Sequence, residues 1–498
     1  MKWRSIALAC ICTLFVVLNP MRSLSQQTLT VAVEPVYAPF EFRDQSGEIQ
    51  GFDIDLIREI GKVAGFGVRF QNIAFDGIIP SLQARTVDAA VGAMTITPAR
   101  SQVVDFSRPY FKAGLAIASQ TNQPINALEE LNGRAIAVQI GTTGAQAAQK
   151  IPNAQIRTFD AAVLALQELR NGNVVAVIHD APILQYALKT GNLRDIQVSE
   201  QLLTEDYLGI PTPKGSPNLA RINQGLGTIL DNGTYRNLYR KWFNAEPPAL
   251  PETVPNATAN QDESNWFTTI ARALPVLLAG ALVTIQLAVL SITIGLVAGS
   301  LIGIARLSKI KPIRWLARAY VDFFRGTPLL VQIFMIYFGI PAVIQELGLE
   351  FSFNRFVAAV VALSLNSAAY IAEIVRAGIV SIEVGQTEAA ESLGLDSTQV
   401  LRHVIFPQAF RRMLPPLGNT FISLLKDTTL VAVIGFEELF RQGQLIVAAN
   451  YRPFELYAIV ALIYLVLTLL SSQLFSYLER RMNPVQRVRN RDRAVVST

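Results

Sequence analysis

At 498 residues the chain is too long for one ordinary domain, and its composition divides it into a mixed first half and a strongly apolar second half. The net charge of +5 does not indicate a nucleic-acid partner, because much of it comes from arginines at 480–493 beside an apolar run, where positive residues commonly flank a membrane span. Both cysteines, Cys10 and Cys12, lie in the N-terminal segment, which excludes a disulfide or a cysteine metal site elsewhere.

Residues 1–27 have the pattern of a signal peptide or an uncleaved signal anchor. Lys2 and Arg4 precede the apolar run 6–18, and the small residues Ser23 and Ser25 follow it. The run is too short to span a bilayer. Either alternative predicts that the residues after it are exported.

Residues 28–245 alternate strand patterns with helix patterns. TLTVAVE, from Thr28, alternates as a half-buried strand does, and GFDIDLIREIGKVAGF at 51–66 repeats apolar residues at helical spacing. The strand pattern VRFQNIA follows, and the alternation continues to Phe243. This order predicts an α/β domain with mostly parallel sheets.

This half resembles the polar amino-acid-binding proteins of bacterial uptake systems over nearly its whole length. The matching stretches are APFEF, GFDIDL, FDGIIPSLQ, MTITPAR, VDFSRPYF, GTTG, IHDAP and LDNGTYRNLYRKWF. The resemblance implies the type II periplasmic-binding-protein fold, in which two α/β lobes are joined by two crossing strands. We expect those strands near residues 113–119 and 205–211.

The stretch MTITPAR has the features of a carboxylate site. Thr97 can cap a helix that begins at Pro98, which leaves Arg100 in the first turn. Helix N-termini and arginine both favour anions. The alternative is a surface arginine beside an ordinary helix start, but the family resemblance favours binding, because the matching arginine there clamps the ligand carboxylate.

The same resemblance assigns Thr95 and backbone groups near Ala93 to ligand hydrogen bonds. The family often has Ser-Gly where this chain has Gly92 and Ala93. We therefore expect the added Cβ of Ala93 to narrow the site.

Three residues further along complete the expected contacts to an amino-acid backbone. GTTG at 141–144 precedes an alanine-rich helix pattern, so its amides and the Thr142 hydroxyl can meet the carboxylate, although a plain turn is the alternative. Asp180 matches the family residue that binds the α-ammonium. His179 beside it is either a packed histidine or, as the resemblance to glutamine-binding members implies, a ligand contact.

The ligand side chain is expected to meet Glu34, Tyr37 and Phe75. The two aromatic residues match those that sandwich the ligand in the family, although each alone is typical of a core. Glu34 matches an acidic residue that contacts the side chain, and an acid suits an amide or a cation better than a second carboxylate. We expect glutamine and/or a basic amino acid as ligand, with no metal or cofactor.

Residues 246–264 form a proline-rich tether, and an all-α permease of about five membrane helices is expected at 265–485. The predicted spans are 273–305, 319–345, 356–379, 413–436 and 456–478, with an interfacial helix broken at Pro275 before the first. Lysine and arginine counts place the exported domain outside, and the loop at 388–407 and the basic tail 486–498 inside.

The loop at 388–407, EAAESLGLDSTQVLRHVIFP, resembles the EAA loop of ABC importer permeases. Glu388, Ala389 and Ala390 lie on a short helix that Gly394 can end with positive φ, and a second helical run leads to Pro407. In the family this loop docks on the ATP-binding subunit. An amphipathic loop without a partner is the alternative.

The spans contain FRGTPLLVQ, LSLNSAAYIAEIVRAGI and LPPLGNTFISLLKDTTLVAVI, which resemble polar amino-acid permeases. Ionisable residues within spans must pair or face a wet cavity, and we expect Glu373 to pair with Arg376, and Lys426 with Asp427. The sequence has no GxxxxGK[ST] motif, so the chain is not expected to be an enzyme and a separate ATPase is required.

Together these patterns predict a fused binding protein and permease of an amino-acid ABC importer in the cytoplasmic membrane, as a homodimer. A ligand-gated channel is one alternative, but its pore helices would interrupt the binding domain. A transmembrane sensor is another, but the tail after Leu478 is too short for a signalling enzyme.

Overall fold

The computed structural model describes residues 27–191, 195–254, 266–349 and 351–482. It divides into two compact units, one of residues up to Lys112 with Tyr207–Ala259, and one of Ala113–Asp206 with the chain from Asn260 onward. We call the described part of the first unit the first lobe, residues 113–206 the second lobe, and residues 266–482 the membrane region. The predicted signal segment, residues 255–264 of the tether and the tail 486–498 lie outside the described residues.

The first lobe begins with a parallel sheet and a small antiparallel meander. Its first strands are β1 (Thr28–Val33), β2 (Val36–Tyr37), β3 (Glu41–Arg43), β4 (Ile49–Gln50), β5 (Gly67–Asn72), β6 (Ala89–Ala90) and β7 (Val104–Phe106), and its first helices are α1 (Phe52–Ala64), α2 (Phe75–Gln83) and α3 (Pro98–Val103). β1 pairs in parallel with β5 on one side and β6 on the other, while β2, β3 and β4 are antiparallel. The strand predicted from residue 28 and the helix predicted from residue 51 are confirmed.

The second lobe is built on one five-stranded sheet. The elements in chain order are β8 (Phe111–Ala113), β9 (Leu115–Gln120), β10 (Ala135–Gln139), α4 (Thr143–Ala148), β11 (Gln155–Phe159), α5 (Ala162–Arg170), β12 (Ala176–Asp180), α6 (Ala181–Thr190), β13 (Ile196–Val198) and β14 (Asp206–Leu208). The strand order is β11-β10-β12-β9-β13, and β9 runs antiparallel to both neighbours. The sheet is therefore mixed, with β9 running opposite to the other four strands, which agrees with the prediction of mostly parallel sheets.

The placement of a crossing strand at 113–119 is wrong for most of its length. The division between the units falls within β8 and β14, so only the second predicted position, near 205–211, coincides with it. Residues 115–119 instead form β9, whose residues are buried on both faces of the sheet. A short continuous apolar run of this kind is typical of an interior strand.

The chain returns to the first lobe and closes it with aromatic side chains. The returning elements are β15 (Pro211–Pro213), α7 (Asn218–Asp231) and α8 (Thr234–Phe243). The ring of Phe52 lies 5.2 Å from that of Phe243, and the ring of Phe111 lies 5.5 Å from that of Tyr239. Because edge-to-face and offset aromatic pairs contribute about 0.5–1.5 kcal/mol each, this cluster fastens α8 to α1.

The membrane region is entirely helical in its described residues. Its helices are α9 (Trp266–Ala305), α10 (Lys311–Gly326), α11 (Leu329–Phe334), α12 (Ile340–Glu346), α13 (Arg355–Val380), α14 (Val384–Ser392), α15 (Ser397–Val400), α16 (Phe406–Asp427), α17 (Leu439–Asn450) and α18 (Pro453–Met482). Short π-helical turns join α11 to α12 and α15 to α16. Five stretches are long and apolar enough to cross a membrane: Trp266–Ala305, Leu329–Glu346, Arg355–Val380, Ser397–Ile434 and Pro453–Met482. The predicted number of spans is confirmed for the described residues.

α9 and α13 pack closely because glycines recur every fourth residue on α9. A Cβ added at Gly295, Gly299 or Gly303 would lie within 2.3–2.7 Å of atoms of α13, which is closer than real Cβ contacts. Small residues at this spacing let helix backbones approach each other in a membrane. The stripe therefore sets the position of α13, which leads to the loop at 388–407.

Two predicted boundaries in the membrane region are wrong, both at proline. The first helix is not broken at Pro275 but continues through it from Trp266 to Ala305. The second predicted span is interrupted between Gly326 and Leu329, because Pro328 disfavours helical backbone at Thr327, which has φ −115° and ψ 145°. The side-chain amide of the buried Gln332 donates to the carbonyl oxygens of Phe324 and Thr327 at 2.9 and 3.1 Å, which satisfies the end of α10.

Candidate ligand-binding site and membrane region

Arg100 is buried in the first turn of α3, where the sequence predicts it. The Thr97 hydroxyl accepts a hydrogen bond from the Arg100 amide at 3.3 Å, and Pro98 occupies the first turn, so the predicted cap is confirmed. The Arg100 side chain is fixed by two contacts. Its Nη1 donates to the Thr95 carbonyl oxygen at 2.8 Å, and its guanidinium carbon lies 5.4 Å from the centroid of the Phe75 ring. The cation is thus positioned before any ligand arrives.

Glu34, at the end of β1, lies in the same part of the first lobe. Its Oε1 accepts from the Phe75 amide at 3.3 Å, so the structure brings Glu34, Phe75, Arg100 and Thr95 together through successive contacts. Tyr37 is also buried, and its ring centroid lies 6.4 Å from that of Phe40. Phe75 is therefore contacted by both groups, by the Glu34 carboxylate at its backbone amide and by the Arg100 guanidinium at its ring.

Asp53 is a structural residue that the sequence reading did not single out. Its Oδ2 accepts from the amides of Gly92 and Ala93 at 3.1 and 2.9 Å and from the Tyr110 hydroxyl at 2.7 Å. Burial raises the pKa of Asp53 to about 6, while these hydrogen bonds act in the opposite direction. The Ala93 amide, expected to meet the ligand, is thus engaged by Asp53, which holds the loop before α3 in place.

A second buried carboxyl, Glu41, lies close to Asp53. Burial first, and then the nearby Asp53 and Glu34 carboxylates, raise the pKa of Glu41 well above its ordinary value. The signal in the sequence was available, because Glu41 and Asp53 each interrupt an apolar run, FEF and GFDI. An acid in such a run is buried and therefore needs a partner or a proton.

Ala93 adopts a backbone conformation that ordinarily favours glycine. Its φ is 45°, in the left-handed region, and its side chain is buried. The two hydrogen bonds to Asp53 hold this conformation. The glycine that the family often has at this position is therefore explained by the backbone as well as by space for the ligand.

In the second lobe, Thr142 caps α4. Its hydroxyl accepts from the Ala145 amide at 3.1 Å and donates to the Gln139 carbonyl oxygen at 2.8 Å. Gly144 lies against β12, since a Cβ there would be 2.5 Å from the Ile178 carbonyl oxygen. The GTTG turn is thus fixed to the end of the sheet, and the Thr142 hydroxyl takes part in the fold itself.

His179 and Asp180 end β12, but His179 is fully enclosed within the second lobe. Its Nδ1 accepts from the Asp180 amide at 2.8 Å, and its Nε2 lies 3.1 Å from the Gln139 Oε1. These contacts fit the neutral tautomer with the proton on Nε2. Burial lowers the pKa of His179 to about 4. Both ring nitrogens contact protein groups, so the structure favours a positioning role for His179 over direct ligand contact.

The loop at 388–407 has the helix, turn, helix form that the sequence predicts. Ala390 is buried against α13, whereas Glu388 and Ala389 are exposed on α14. Gly394 has φ 83°, and the amides of Gly394 and Leu395 donate to the carbonyls of Glu391 and Ala390, which closes α14 in a Schellman motif.

The second helical run begins with α15, which a capping box between Asp396 and Gln399 starts, and Pro407 lies in the first turn of α16. Leu393, at the turn, is 84% exposed. The loop is therefore rigid on its inner side and presents apolar surface outward.

Of the two expected intramembrane ion pairs, the one at Glu373 is present among the described residues and the one at Lys426 is not. Glu373 pairs with Arg376, with Nε 3.1 Å from Oε2, and also with Arg306 at the end of α9. No ion pair joins Lys426 to Asp427 in the part of the chain that the structure describes, so the pairing expected there is wrong. The two residues are neighbours at the end of α16, where Lys426 is exposed and Asp427 is half-buried.

Asp427 instead lines a cavity of about 690 Å³ in the membrane region. The other polar lining residues include Arg325, Asn366, Tyr370, Asn419 and Ser423. This volume is within the range of sites that enclose small molecules. Asp427 therefore faces a cavity with polar lining.

Comparison with known proteins identifies both halves. Residues 29–245 match the family of bacterial extracellular solute-binding proteins, family 3, and residues 291–484 match the binding-protein-dependent transport system inner membrane component family. The glutamine transport system permease protein GlnP of Escherichia coli (strain K12) is 45% identical over 210 residues, which are 42% of this chain and 94% of that protein. The arginine transport system permease protein ArtQ of Bacillus subtilis (strain 168) is 40% identical over 216 residues, 43% of this chain and 96% of that protein.

Among solved structures, the arginine-, lysine-, histidine-binding protein ArtJ of Geobacillus stearothermophilus is 37% identical, with a TM-score of 0.43, over 44% of this chain and 97% of that one.

The chain belongs to the inner membrane components of binding-protein-dependent transport systems, and it carries a solute-binding domain in the same polypeptide. It is a multi-pass membrane protein, the fused binding protein and permease of an amino-acid ABC transporter.

Proposed function

We propose that the chain imports glutamine or a basic amino acid, with residues 28–245 as the extracytoplasmic binding domain, 246–264 as the tether and 265–485 as the permease. The relatives of its membrane region include permeases of glutamine and arginine transport systems. The observation that carries the proposal is Arg100, a buried cation held in place by a carbonyl oxygen and an aromatic ring. A fixed guanidinium suits the α-carboxylate that every amino acid has.

The remaining contacts follow the chemistry of an α-amino acid. Asp180 binds the α-ammonium, and Thr95, backbone groups near Ala93, and the turn at Thr142 complete the contacts to the carboxylate. Tyr37 and Phe75 enclose the aliphatic part of the ligand. His179 has an indirect role: its Nδ1 accepts a hydrogen bond from the Asp180 amide and so orients Asp180.

Glu34 determines which side chain is accepted. Its carboxylate is buried beside Phe75 and favours an amide or a cation over a second carboxylate. Glu34→Gln removes the charge and nearly preserves the shape. We expect arginine to lose roughly tenfold more affinity than glutamine, because only the cation loses an ionic partner.

Isothermal titration calorimetry with glutamine, arginine and glutamate tests this assignment. Glu48→Gln is the matched control, because the Glu48 side chain is exposed and forms a long surface ion pair with Arg58 at 3.8 Å. A wild type that prefers glutamate, or a Glu34→Gln variant that weakens all three ligands equally, contradicts the role of Glu34.

The energy source is a separate ATP-binding subunit that docks on the cytoplasmic loop at 388–407. The exposed residues of that loop, including Glu388, Ala389, Leu393 and Pro407, support a protein partner. Ala390 packs the docking helix α14 against the membrane helices, and Gly394 ends that helix. Two copies of the chain form the permease, with the binding domains outside and the C-terminal tails inside.

Gly394→Val tests the coupling role of the loop. Valine strongly disfavours the φ of 83° at this turn, so α14 is displaced and ligand-stimulated ATP hydrolysis in vesicles falls at least roughly tenfold. Gly348→Val is the control, because Gly348 has φ 80° and equal open space but lies in the loop between the second and third spans. Equal loss in both variants, or normal transport in Gly394→Val, overturns the docking role.

A further inference from the structure

Arg441 of α17 joins the membrane region to the second lobe. Its side chain is fully buried, its Nη2 donates to the Thr158 carbonyl oxygen at 2.5 Å, and its Nη1 donates to the Asp160 carboxylate. Gly435 lies at the same place, since a Cβ there would be 2.8 Å from the Thr158 carbonyl oxygen. The edge strand β11 therefore packs against the membrane region, with Arg441 and Gly435 both at the Thr158 carbonyl oxygen.

A second polar contact lies at Glu168 of α5. Its Oε1 accepts from the Tyr337 hydroxyl at 2.6 Å and from Arg157 Nη1 at 2.6 Å, and the Glu168 side chain is fully buried. Phe338 packs against the hydrophobic core of the second lobe. Two buried polar contacts at different elements fix the lobe in one orientation, because a rotation about one contact would break the other and leave either the buried Arg441 cation or the Tyr337 hydroxyl without its partner.

From Asp160 a line of hydrogen bonds runs into the lobe and reaches Asp180. The Asp160 carbonyl oxygen accepts from Gln139 Nε2 at 3.0 Å, and Gln139 Oε1 lies 3.1 Å from His179 Nε2. His179 Nδ1 then accepts from the Asp180 amide at 2.8 Å. Gln139 and His179 are both buried, so water does not compete for these bonds.

On the membrane side, the contact continues through Glu438. Glu438 caps α17, where its Oε1 accepts from the Arg441 amide at 2.8 Å. Its Oε2 accepts from the Tyr464 hydroxyl of α18 at 2.8 Å and lies 3.4 Å from the Thr284 hydroxyl of α9. A displacement of Arg441 is therefore carried to the first and last membrane helices.

We propose that Gln139 and Asp160 are positioning residues that couple occupancy of the amino-acid site at Asp180 to Arg441 and thus to the membrane region. The proposal rests on the proposed function for the identity of the ligand. An ammonium bound at Asp180 fixes the end of β12, which fixes His179, Gln139 and the Asp160 carbonyl in turn. Linkage is reciprocal. If bound ligand changes the equilibrium of the Arg441–Asp160 contact by some factor, breaking that contact must change ligand affinity by the same factor.

The contact itself is tested without ligand, in the full-length chain in lipid nanodiscs. Arg441→Gln should speed hydrogen exchange of the amides at 155–160 at least about tenfold, because the Thr158 carbonyl and the Asp160 carboxylate lose their bonds to Arg441 and this edge of the sheet opens more often. Arg452→Gln is the matched control. Arg452 lies in the same region, and among the described residues its side chain forms no hydrogen bond or ion pair with the second lobe. Equal exchange in the two variants overturns the contact.

The coupling is tested by a double-mutant cycle on the dissociation constant for glutamine in the same nanodiscs. We expect Arg441→Gln to change that constant at least about fivefold in the wild-type background and by less than about twofold in the Gln139→Leu background. Gln139→Met repeats the test with a different apolar side chain. The control Gln120→Leu removes a hydrogen bond to the Leu169 carbonyl oxygen elsewhere in the lobe and should preserve the full effect of Arg441→Gln.

The possible outcomes distinguish the coupling through Gln139 from the proposed importer function. If glutamine binds but Arg441→Gln has no effect, or has the same effect in both backgrounds, the coupling through Gln139 is wrong and the importer function stands. If the wild type binds neither glutamine nor arginine, the proposed ligand class is wrong, and the exchange experiment still decides the contact at Arg441.

Discussion

The two lobes of the binding domain bury titratable groups of opposite character. In the first lobe, burial raises the pKa of Glu41 and of Asp53, the latter to about 6. In the second lobe, burial lowers the pKa of His179 to about 4. In each case burial disfavours the charged form, which for an acid means holding a proton and for an imidazole means releasing one. Acidification therefore strengthens the first lobe over the pH range in which it weakens the second.

The lobes also differ in the groups that surround the proposed ligand contacts. The first lobe places formal charges at Phe75, with Arg100 near its ring and Glu34 at its backbone amide. The second lobe supports Asp180 from behind with neutral groups, the His179 imidazole and the Gln139 amide. Loss of a charge in the first lobe should therefore cost more than loss of a hydroxyl in the second.

The largest effect should follow from Arg100→Met. Removing the buried cation leaves the α-carboxylate unpaired, so affinity for every ligand falls by roughly 2–5 kcal/mol. Thr142→Val should cost only about 1 kcal/mol, the typical net value of one hydrogen bond. Calorimetry measures both, with Arg69→Met, an exposed arginine that bonds to the Thr30 hydroxyl, as the control. Equal losses in Arg100→Met and Thr142→Val would remove the distinction between the lobes.

The next effect concerns pH and separates the lobes directly. Between an ordinary histidine pKa of 6.5 and the buried value of about 4, the unfolded chain takes up a proton that the folded second lobe does not. Above pH 6.5 the titration of His179 does not affect the free energy of unfolding. As the pH falls from 6.5 toward 4, that free energy decreases by about 3 kcal/mol in total. His179→Gln should lack this loss. Urea unfolding of a fragment of residues 27–246 at pH 7 and pH 4, after circular dichroism has shown that it folds alone, measures the difference.

Asp53→Asn provides the opposite control in the same fragment. Because the folded pKa of Asp53 is raised to about 6 from 3.8, the folded first lobe takes up its proton first as the pH falls. Asp53 then stabilises the lobe on acidification, and Asp53→Asn should make the fragment lose more stability toward pH 4 than the wild type does. A His179→Gln variant with the pH profile of the wild type would show that the imidazole is not buried in solution.

Local patterns in the sequence predicted much of this structure. The Thr97 cap depends on residues three positions apart, and the positive φ of Gly394 depends on the single turn that ends α14. Neighbouring residues therefore determine both features. The number of membrane spans follows from length and hydropathy alone. The boundaries at Pro275 and Pro328 were less predictable, because whether proline breaks a helix depends on what satisfies the freed carbonyls. At Pro328 the partner is Gln332, and tertiary contacts fix its side chain.

The residues that support the site were not predicted, because their partners are distant in sequence. Asp53 binds an amide forty residues away, and Arg441 contacts Asp160 across 281 residues. Neither pairing has a periodic or local signature. An acid inside an apolar run indicates that a partner exists, but only the fold shows which one it is.

The smallest effect should come from Ala93→Gly, which tests how the first lobe holds the loop before α3. Ala93 has φ 45°, and two amides bonded to Asp53 maintain that strained conformation. Glycine relieves the strain and adds freedom to the unfolded chain, so we expect a net stabilisation of about 1 kcal/mol or less. Ala99→Gly, in α3, is the control with the opposite sign, because glycine in a helix destabilises it by up to about 1 kcal/mol. Urea unfolding of the same fragment measures both changes. If both variants are destabilised equally, the left-handed conformation of Ala93 carries no strain, and Asp53 need not hold the loop against it.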